Sequence, residues 1–455
     1  VLRLRDTLTG RVAELEPRDA GVVGLYVCGP TVYGAPHVGH GRFALVYDVL
    51  RRYLEFSGFE VRHVSNVTDI DDKIIERAAT EGRDWRDVAH DAEAEWWAAM
   101  DKMGLARPTE TPHATDYIAE MIDLVGELVG RGSAYETDDG VYLDTSTVQD
   151  YGLLKHQSIE SLRAGARVEV DEHKRSPVDF ALWKRSKPGE PFWDGPFGPG
   201  RPGWHTECVV MSLALLGEGF DLHGGGEDLI FPHHENERAQ AVADGRAFAR
   251  HWMHNGLVRV DGEKMSKSLG NFTTMAELLE RSDARAYRLL VLGSHYRQPV
   301  EVNEQTLEDA TTTLQRLDSF ARRFADAIPD TQKNDAGEDR RRFCEAMDDD
   351  LDTPRALGGL FSAMRRANTL GDAGELRAGG SVARVVLDLF AALGVEAGGV
   401  RHVASDEVRE LVDRRDAARA ARDYAAADRL RVEIEELGWV VEDTPGGTRI
   451  YQQGG

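Results

Sequence analysis

An apolar run, Leu25-Tyr26-Val27-Cys28, ends in a turn carrying Gly29, Pro30, Gly34 and Pro36, and a helical stretch opens beyond it from Gly41. Phe43, Leu45, Val46, Val49, Leu50, Tyr53 and Leu54 recur at helical spacing until Gly58 closes them. Glu60-Val61-Arg62-His63-Val64 then reads as a second strand. Strand, helix, strand is the opening of a parallel, doubly wound α/β sheet. Such sheets bind their ligands outside the carboxyl ends of the strands.

The turn between that strand and that helix holds His37-Val38-Gly39-His40. A helix N-terminus presents unpaired N–H groups that favour phosphate. Gly39 lets a purine lie flat on the backbone, and His37 and His40 can donate hydrogen bonds to phosphate oxygens. Far downstream, Lys264-Met265-Ser266-Lys267-Ser268 puts two ammonium groups three residues apart on a loop ending in Gly270-Asn271. Cations so placed can clamp a departing pyrophosphate. Taken singly, the first stretch fits a turn with solvated histidines and the second an ordinary charged loop. In this order, at a separation that suits an interrupted nucleotide-binding domain, they make a nucleotide site.

The interruption is legible. From about Pro108 to Gly203 the pattern changes to short strands, Ala134-Tyr135-Glu136 and Gly140-Val141-Tyr142-Leu143, followed by a stretch of Pro, Gly and Trp. The second half resumes with an apolar helix from Trp204 to Phe220 and with Phe220-Asp221-Leu222-His223 ahead of Gly224-Gly225-Gly226. Past the lysine-rich loop the chain is helical almost throughout. A polar, acidic linker lies near Pro329 to Glu338, and a charged helical pair runs from Ser405 to Leu437. The expected divisions are 1–107 and 204–250 for the halves of the sheet, 108–203 for the insertion, then 251–315, 316–399 and 400–455.

Charge restricts the partners. With 79 acidic against 55 basic residues the net charge is −24, which argues against generic affinity for nucleic acid, since phosphate neutralisation drives it. An RNA partner must be met by local basic patches. Lysine supplies only about nine of those bases; acid excess with few lysines suits a high-salt or high-GC source. Three cysteines are too sparse for a disulfide framework, no apolar run approaches the ~18 residues of a membrane span, and Val1 to Asp6 lacks a signal-peptide pattern. A cytoplasmic protein is expected.

Phe231-Pro232-His233-His234-Glu235-Asn236-Glu237 reads as a helix start with proline in its first turn. His233 and Glu237, four apart, share a face from which imidazole and carboxylate can grip one ion. A lone cysteine is usually a small buried hydrophobe, and a His–Glu pair usually a hydrogen bond. Sequence spacing alone does not join Cys28 and Cys208 to that pair.

The two stretches at 37–40 and 264–268 together resemble the paired ATP signatures of class I aminoacyl-tRNA synthetases, with Val38 where that class usually has Ile. Cys-Gly-Pro-Thr-Val-Tyr at 28–33, Gly-Trp-His-Thr-Glu-Cys at 203–208, His-Gly-Gly-Gly at 223–226 and the stretch at 231–237 are similar to the cysteinyl-tRNA synthetase family. The resemblance implies a class I Rossmann catalytic domain with an insertion, followed by a stem-contact region, a helical bundle and an anticodon-binding end.

It implies a single zinc ion held in the amino-acid pocket by Cys28, Cys208, His233 and Glu237. His37, His40, Lys264 and Lys267 are its implied catalytic residues, with Gly39 and Lys267 binding ATP, and Thr68 and Trp204 touching the substrate. The implied partners are L-cysteine, Mg²⁺ with ATP, and tRNA(Cys), for a monomer with no membrane. Zinc suits this task on chemical grounds: cysteine and serine differ by one atom, and thiolate binds zinc far more readily than a hydroxyl does. Arginines 414, 415, 419, 422, 429 and 431 give the C-terminal pair local positive charge, read either as RNA contacts or as partners in ion pairs along the helices. Two other readings stay open. One is the ligase of mycothiol biosynthesis, which joins cysteine to a glucosaminyl-inositol amine; the other is a non-catalytic zinc- or RNA-binding paralogue.

Overall fold

A computed structural model describes all residues except 159–160, 162–172, 261, 265–272, 330–336, 399–405, 438, 445–446 and 453–455. The chain forms two compact units. The first comprises Val1–Glu280, Ser294–Asn303 and Ala346–Thr353, and the second Arg281–Gly293, Glu304–Glu345 and Pro354–Gly455.

The first unit starts with an antiparallel hairpin, β1 (Arg3–Asp6) and β2 (Arg11–Glu14). Next come β3 (Val22–Val27), helix α1 (Val38–Phe56) and β4 (Glu60–Ser65), the strand–helix–strand expected from the sequence. Helices α2 (Asp72–Glu81), α3 (Trp85–Lys102) and α4 (Ile118–Gly130) lead to an antiparallel sheet within the interrupted stretch. Its strands are β5 (Ala134–Glu136), β6 (Gly140–Leu143), β7 (Phe180–Arg185) and β8 (Gly200–Pro202), paired in that order.

The chain then returns through helix α5 (Trp204–Leu216), which stops four residues before the expected Phe220 because Gly217 turns the backbone at φ 77°. Strand β9 (Leu222–Gly226), helix α6 (Glu235–Ala243) and β10 (His251–Asn255) follow. The four parallel strands lie in the order β10-β9-β3-β4. The order reverses between β3 and β9, and that junction is where an open α/β sheet leaves a crevice at its carboxyl edge. Strand β10 begins at 251, immediately past the expected division at 250.

Helix α1 is locked to the sheet by Tyr47. Its hydroxyl donates toward the carbonyls of Gly225 (2.9 Å) and Met253 (2.8 Å) and accepts from the Gly225 N–H at 2.6 Å. Gly224 is required beside it, since a Cβ there would meet the Tyr47 ring at 2.3 Å.

A small sheet of β11 (Val258–Val260), β12 (Glu263–Lys264) and β13 (Val300–Glu301) follows. Helix α7 (Met275–Arg281) lies beyond β12. The acidic stretch at 348–350 is built into the first unit. Asp350 accepts from the Arg5 N–H (2.8 Å), the Tyr296 hydroxyl (2.7 Å) and Arg297 (2.8 Å), and Asp348 accepts from Tyr53 at 2.8 Å.

The second unit is built from helices α8 (Ala284–Leu292), α9 (Glu304–Phe324), α10 (Gly337–Met347), α11 (Thr353–Asp372) and α12 (Leu376–Ala392). Helices α13 (Asp406–Ala420) and α14 (Tyr424–Glu436) follow, with a hairpin of β14 (Trp439–Thr444) and β15 (Gly447–Gln452). Val408, Leu411, Leu430, Ile434, Trp439 and Val441 form the small core that joins this pair of helices to the hairpin. Among the described residues no helix is long and apolar enough to cross a membrane.

Candidate active site and metal centre

The residue after β3 is Cys28, whose backbone N–H reaches the Gly224 carbonyl of β9 at 3.3 Å, so its thiol stands at the strand-order reversal. Gly29 beside it tolerates no side chain, because a Cβ would lie 1.7 Å from the Asn66 carbonyl oxygen. Asn66 also accepts from the Gly29 N–H at 2.9 Å and so pins the turn.

Four donor atoms, from Cys28, His233, His234 and Glu237, lie within 4.8 Å of one another, and all four residues are buried. Cys208, on α5, borders the cluster with its sulfur 3.6 Å from both Cys28 Sγ and His233 Nε2. Glu237 Oε1 lies 3.0 Å from His233 Nε2 and 3.4 Å from Cys28 Sγ. The four expected ligands are therefore brought together, and His234 joins them. The local helix differs from expectation. Phe231 adopts an extended backbone (φ −142°, ψ 132°), a wide turn spans Ile230–His234, and the regular helix starts at Glu235.

The electrostatics polarise the cluster. Burial drives the Cys28 thiol well above its ordinary value, with the neighbouring Cys208 adding to the rise. Burial also works to raise Cys208, but the hydrogen bond from Cys28 and the contacts with His233 outweigh it and bring that thiol down to about 6. Burial opposes charge on His233, yet Glu237 and Cys208 lift it to about 10. Buried Glu237 is held well below the carboxylate range by His223 and His233. Such a group of two sulfurs, imidazole and carboxylate has the donor chemistry of a zinc site. The buried His234 Nε2, which lacks a hydrogen-bond partner, is the kind of stranded polar atom that an ion nearby would relieve.

The sequence reading missed a histidine lattice around this cluster. His223 Nε2 lies 2.7 Å from Glu237 Oε2, and the His205 and His233 Nδ1 atoms are 2.8 Å apart. His234 Nδ1 lies 2.8 Å from His254 Nε2, whose other nitrogen lies 2.7 Å from the Thr7 hydroxyl. A signal for them exists: His223 and His254 sit in strands of a parallel sheet, where near-continuous apolar residues are the rule.

His37 caps α1. Its Nδ1 accepts from the His40 N–H and His40 Nδ1 accepts from the His37 N–H, both at 3.3 Å, and the rings stack 3.7 Å apart. One open cavity of about 1040 Å³ is lined by His37, Gly39 and His40 on one side and by Cys28 and Trp204 on the other. Trp204 stacks on the His233 ring at 3.9 Å and is 36 % exposed, so its face is available to a small ligand. Thr68 is buried, and its hydroxyl donates to Glu207 at 2.8 Å. Lys264 pairs with Arg259 in the β12–β11 ladder, while Lys267 and the residues around it lie outside the described residues.

At the C-terminal end Arg414, Arg419, Arg422 and Arg429 are exposed. Arg415 is instead buried and donates to Thr448 at 3.0 Å; Arg431 donates to the Val441 carbonyl at 2.8 Å and pairs with Glu435. Those two arginines tie the helices to the hairpin.

The chain matches the catalytic domain of class I (C) tRNA synthetases over residues 14–312, a DALR domain over 342–399 and the cysteinyl-tRNA ligase anticodon-binding domain over 402–451. It is 43 % identical to the cysteine–tRNA ligase of Carboxydothermus hydrogenoformans and 44 % identical to that of Thermotoga maritima, covering 98 % of this chain and 99 % of each relative. Among solved structures it is similar in fold to methionyl-tRNA synthetase of Mycobacterium tuberculosis in complex with methionyl-adenylate. That match has a TM-score of 0.63 at 16 % identity, over 89 % of this chain and 96 % of that one. With full-length relatives at this identity and a catalytic-domain match across most of its length, the chain belongs to the cysteinyl-tRNA synthetases, in class I of the aminoacyl-tRNA synthetases.

Proposed function

We propose that this chain ligates L-cysteine to tRNA(Cys) through a cysteinyl-adenylate, acting in the cytoplasm as a monomer. The observation that carries the reading is the single cavity with the His37–His40 helix terminus on one wall and Cys28 and Trp204 on another. A carboxylate and an α-phosphate have to meet in such a place.

In the first step a cysteine carboxylate oxygen attacks the α-phosphorus of Mg-ATP, and the bond to pyrophosphate breaks. Because Nδ1 of His37 and of His40 each accepts a backbone N–H, the ring proton sits on Nε2, the tautomer that donates to a phosphate oxygen. Gly39 leaves the helix backbone open to the nucleotide. Lys264 and Lys267 are assigned the charge that develops on the departing pyrophosphate. In the second step a ribose hydroxyl at the tRNA terminus takes the acyl group and AMP leaves.

Cys28, Cys208, His233 and Glu237 are assigned to hold zinc, since two thiolates favour it over harder ions. When bound there, zinc supplies a soft Lewis acid that prefers the substrate thiolate to the hydroxyl of serine. Trp204, stacked on His233, covers the substrate side chain. Thr68 contributes through Glu207, whose carboxylate it holds beside Cys208.

The test is cysteine-dependent exchange of pyrophosphate into ATP, followed by charging of tRNA(Cys). Both are expected. Exchange without charging, together with turnover of glucosaminyl-inositol, would transfer the assignment to a mycothiol-type ligase. Metal content with neither activity would leave a non-catalytic paralogue.

A further inference from the structure

A second cleft, of about 480 Å³ and partly open to solvent, lies on the α1 side of the sheet between α1 and α3. Phe43, Tyr47, Trp96 and Trp97 supply aromatic walls, and Ala44 leaves room on the helix face. The feature that sets it apart is His63 on β4. This residue is 7 % exposed and lines the cleft, and neither of its ring nitrogens has a hydrogen-bond partner. Its backbone is satisfied, since its N–H and carbonyl bond to Thr109 at 3.1 and 2.7 Å. Leaving a buried imidazole unpaired is costly, and folded proteins rarely do so without a reason. Burial pushes His63 down to about 3, helped by Arg51, so at neutral pH the ring is uncharged and offers one donor and one acceptor.

The charged groups at the cleft are already engaged. Asp48 accepts from Arg52 (2.8 Å) and from the Ala106 N–H (2.9 Å). Arg107 pairs with Asp101 at 2.6 Å and lies 4.1 Å over the Trp97 ring. A charged ligand would find no counter-ion to spare here, whereas a flat ring finds aromatic faces.

We propose that this cleft is a binding site for a small, uncharged, planar nitrogen heterocycle oriented by His63. Phe43 and Trp96 line both this cleft and the cavity holding His37 and His40, and Trp96 meets the His40 ring edge-on at 5.4 Å. A ring bound in the cleft therefore presses on the group that positions His40, and its occupancy is coupled to the nucleotide site without overlapping it.

The probe is benzimidazole at pH 7.5, with binding followed by ligand-observed NMR in the presence of saturating ATP. Binding is expected, weakened about tenfold in His63→Phe, the loss of one hydrogen bond, and abolished in Ala44→Leu, which fills the cleft from the opposite wall. Melting curves establish that each variant is folded, and either variant alone suffices. Absence of binding, displacement by ATP, or binding unchanged in the folded variants would overturn the site. The coupling arm rests on the nucleotide reading above, and the direct-binding arm does not. Titrating ATP against rising benzimidazole should shift the ATP Kd by at least about twofold and then reach a plateau. A shift that grows without limit would mean competition and would overturn the coupling, as would no shift at all.

Discussion

His223 and Glu237 share a hydrogen bond of 2.7 Å between Nε2 and Oε2, so the outer oxygen of this carboxylate is tied to β9 while the inner one faces Cys28 and His233. An oxygen held in this way keeps the carboxylate in one rotamer. His223→Phe should preserve the stacking on Trp252, 4.5 Å between ring centroids, and release Glu237. Zinc affinity, measured by competition with a chelator, is expected to fall roughly 10- to 100-fold, the usual cost of losing a partner that orients a ligand.

Direct ligands should behave differently. Purified protein is expected to carry about one zinc per chain by elemental analysis. Cys28→Ser or Cys208→Ser should lose the metal and cysteine binding while sparing ATP affinity. His234→Gln should keep the metal if Cys208 rather than His234 completes the set. The opposite pattern in the last two variants would reassign the fourth ligand.

Lys267→Ala should lower kcat for adenylate formation by roughly two to three orders of magnitude, a loss of about 3 to 4 kcal/mol of transition-state stabilisation. Cysteine affinity should barely change. Pyrophosphate-exchange kinetics at varied cysteine and ATP separate the two effects, and equal damage to both would point to a folding defect.

Glu93 and His113 form a half-buried pair at 2.9 Å. Their hydrogen bond raises His113 and lowers Glu93. The His113 contribution is fully present below its unfolded value and is lost as pH rises through the raised folded one. The Glu93 contribution is present above its unfolded value and is lost as pH falls through the lowered folded one. Both operate together between the two unfolded values, at about pH 5 to 6. The Tm gap between wild type and Glu93→Gln should therefore be widest there and shrink toward pH 9. Solvent screening keeps the effect small. A gap that widens between pH 6 and pH 9 would contradict the pairing.

Replacing Arg414, Arg419, Arg422 and Arg429 together by Ala should leave cysteine-dependent exchange intact and weaken charging through tRNA binding. The slope of log affinity against log salt should become shallower, by up to about 0.7 to 0.9 for each phosphate that an arginine no longer neutralises. Arg415→Ala should instead lower stability, because this buried guanidinium bonds to Thr448. An unchanged salt slope in the fourfold variant would show that these arginines pair within the protein.

The sheet's entry and the His37–His40 terminus were legible because they rest on local signals: an apolar run, a Gly/Pro turn and a helical repeat. The metal cluster was not legible on those terms. Cys28, Cys208 and the His233–Glu237 pair come from three separate stretches of the chain, and long-range packing on the sheet brings them together. His205, His223, His234 and His254 carry no helical or strand periodicity, since their partners lie at irregular distances along the sequence. The helix expected from Pro232 begins at Glu235 because the turn before it must aim His233 and His234 inward. Arg415 and Arg431 looked like surface charge because nothing local distinguishes a guanidinium folded back onto a hairpin from one in water.

The pairing of β3 with β9 also bears on how the protein is made. Val27 waits for Gly224, roughly 200 residues later, and at ~5–20 residues per second that is ~10–40 s of synthesis. Until then the β3 edge that will face β9 is bare, and an open strand edge invites association with other chains. The strands β5 to β8 pair with one another, all of them are made before β9, and their antiparallel sheet can close during this interval. The vulnerable species in the cell is therefore the half-made chain, and the risk should rise when ribosomes slow between β3 and β9.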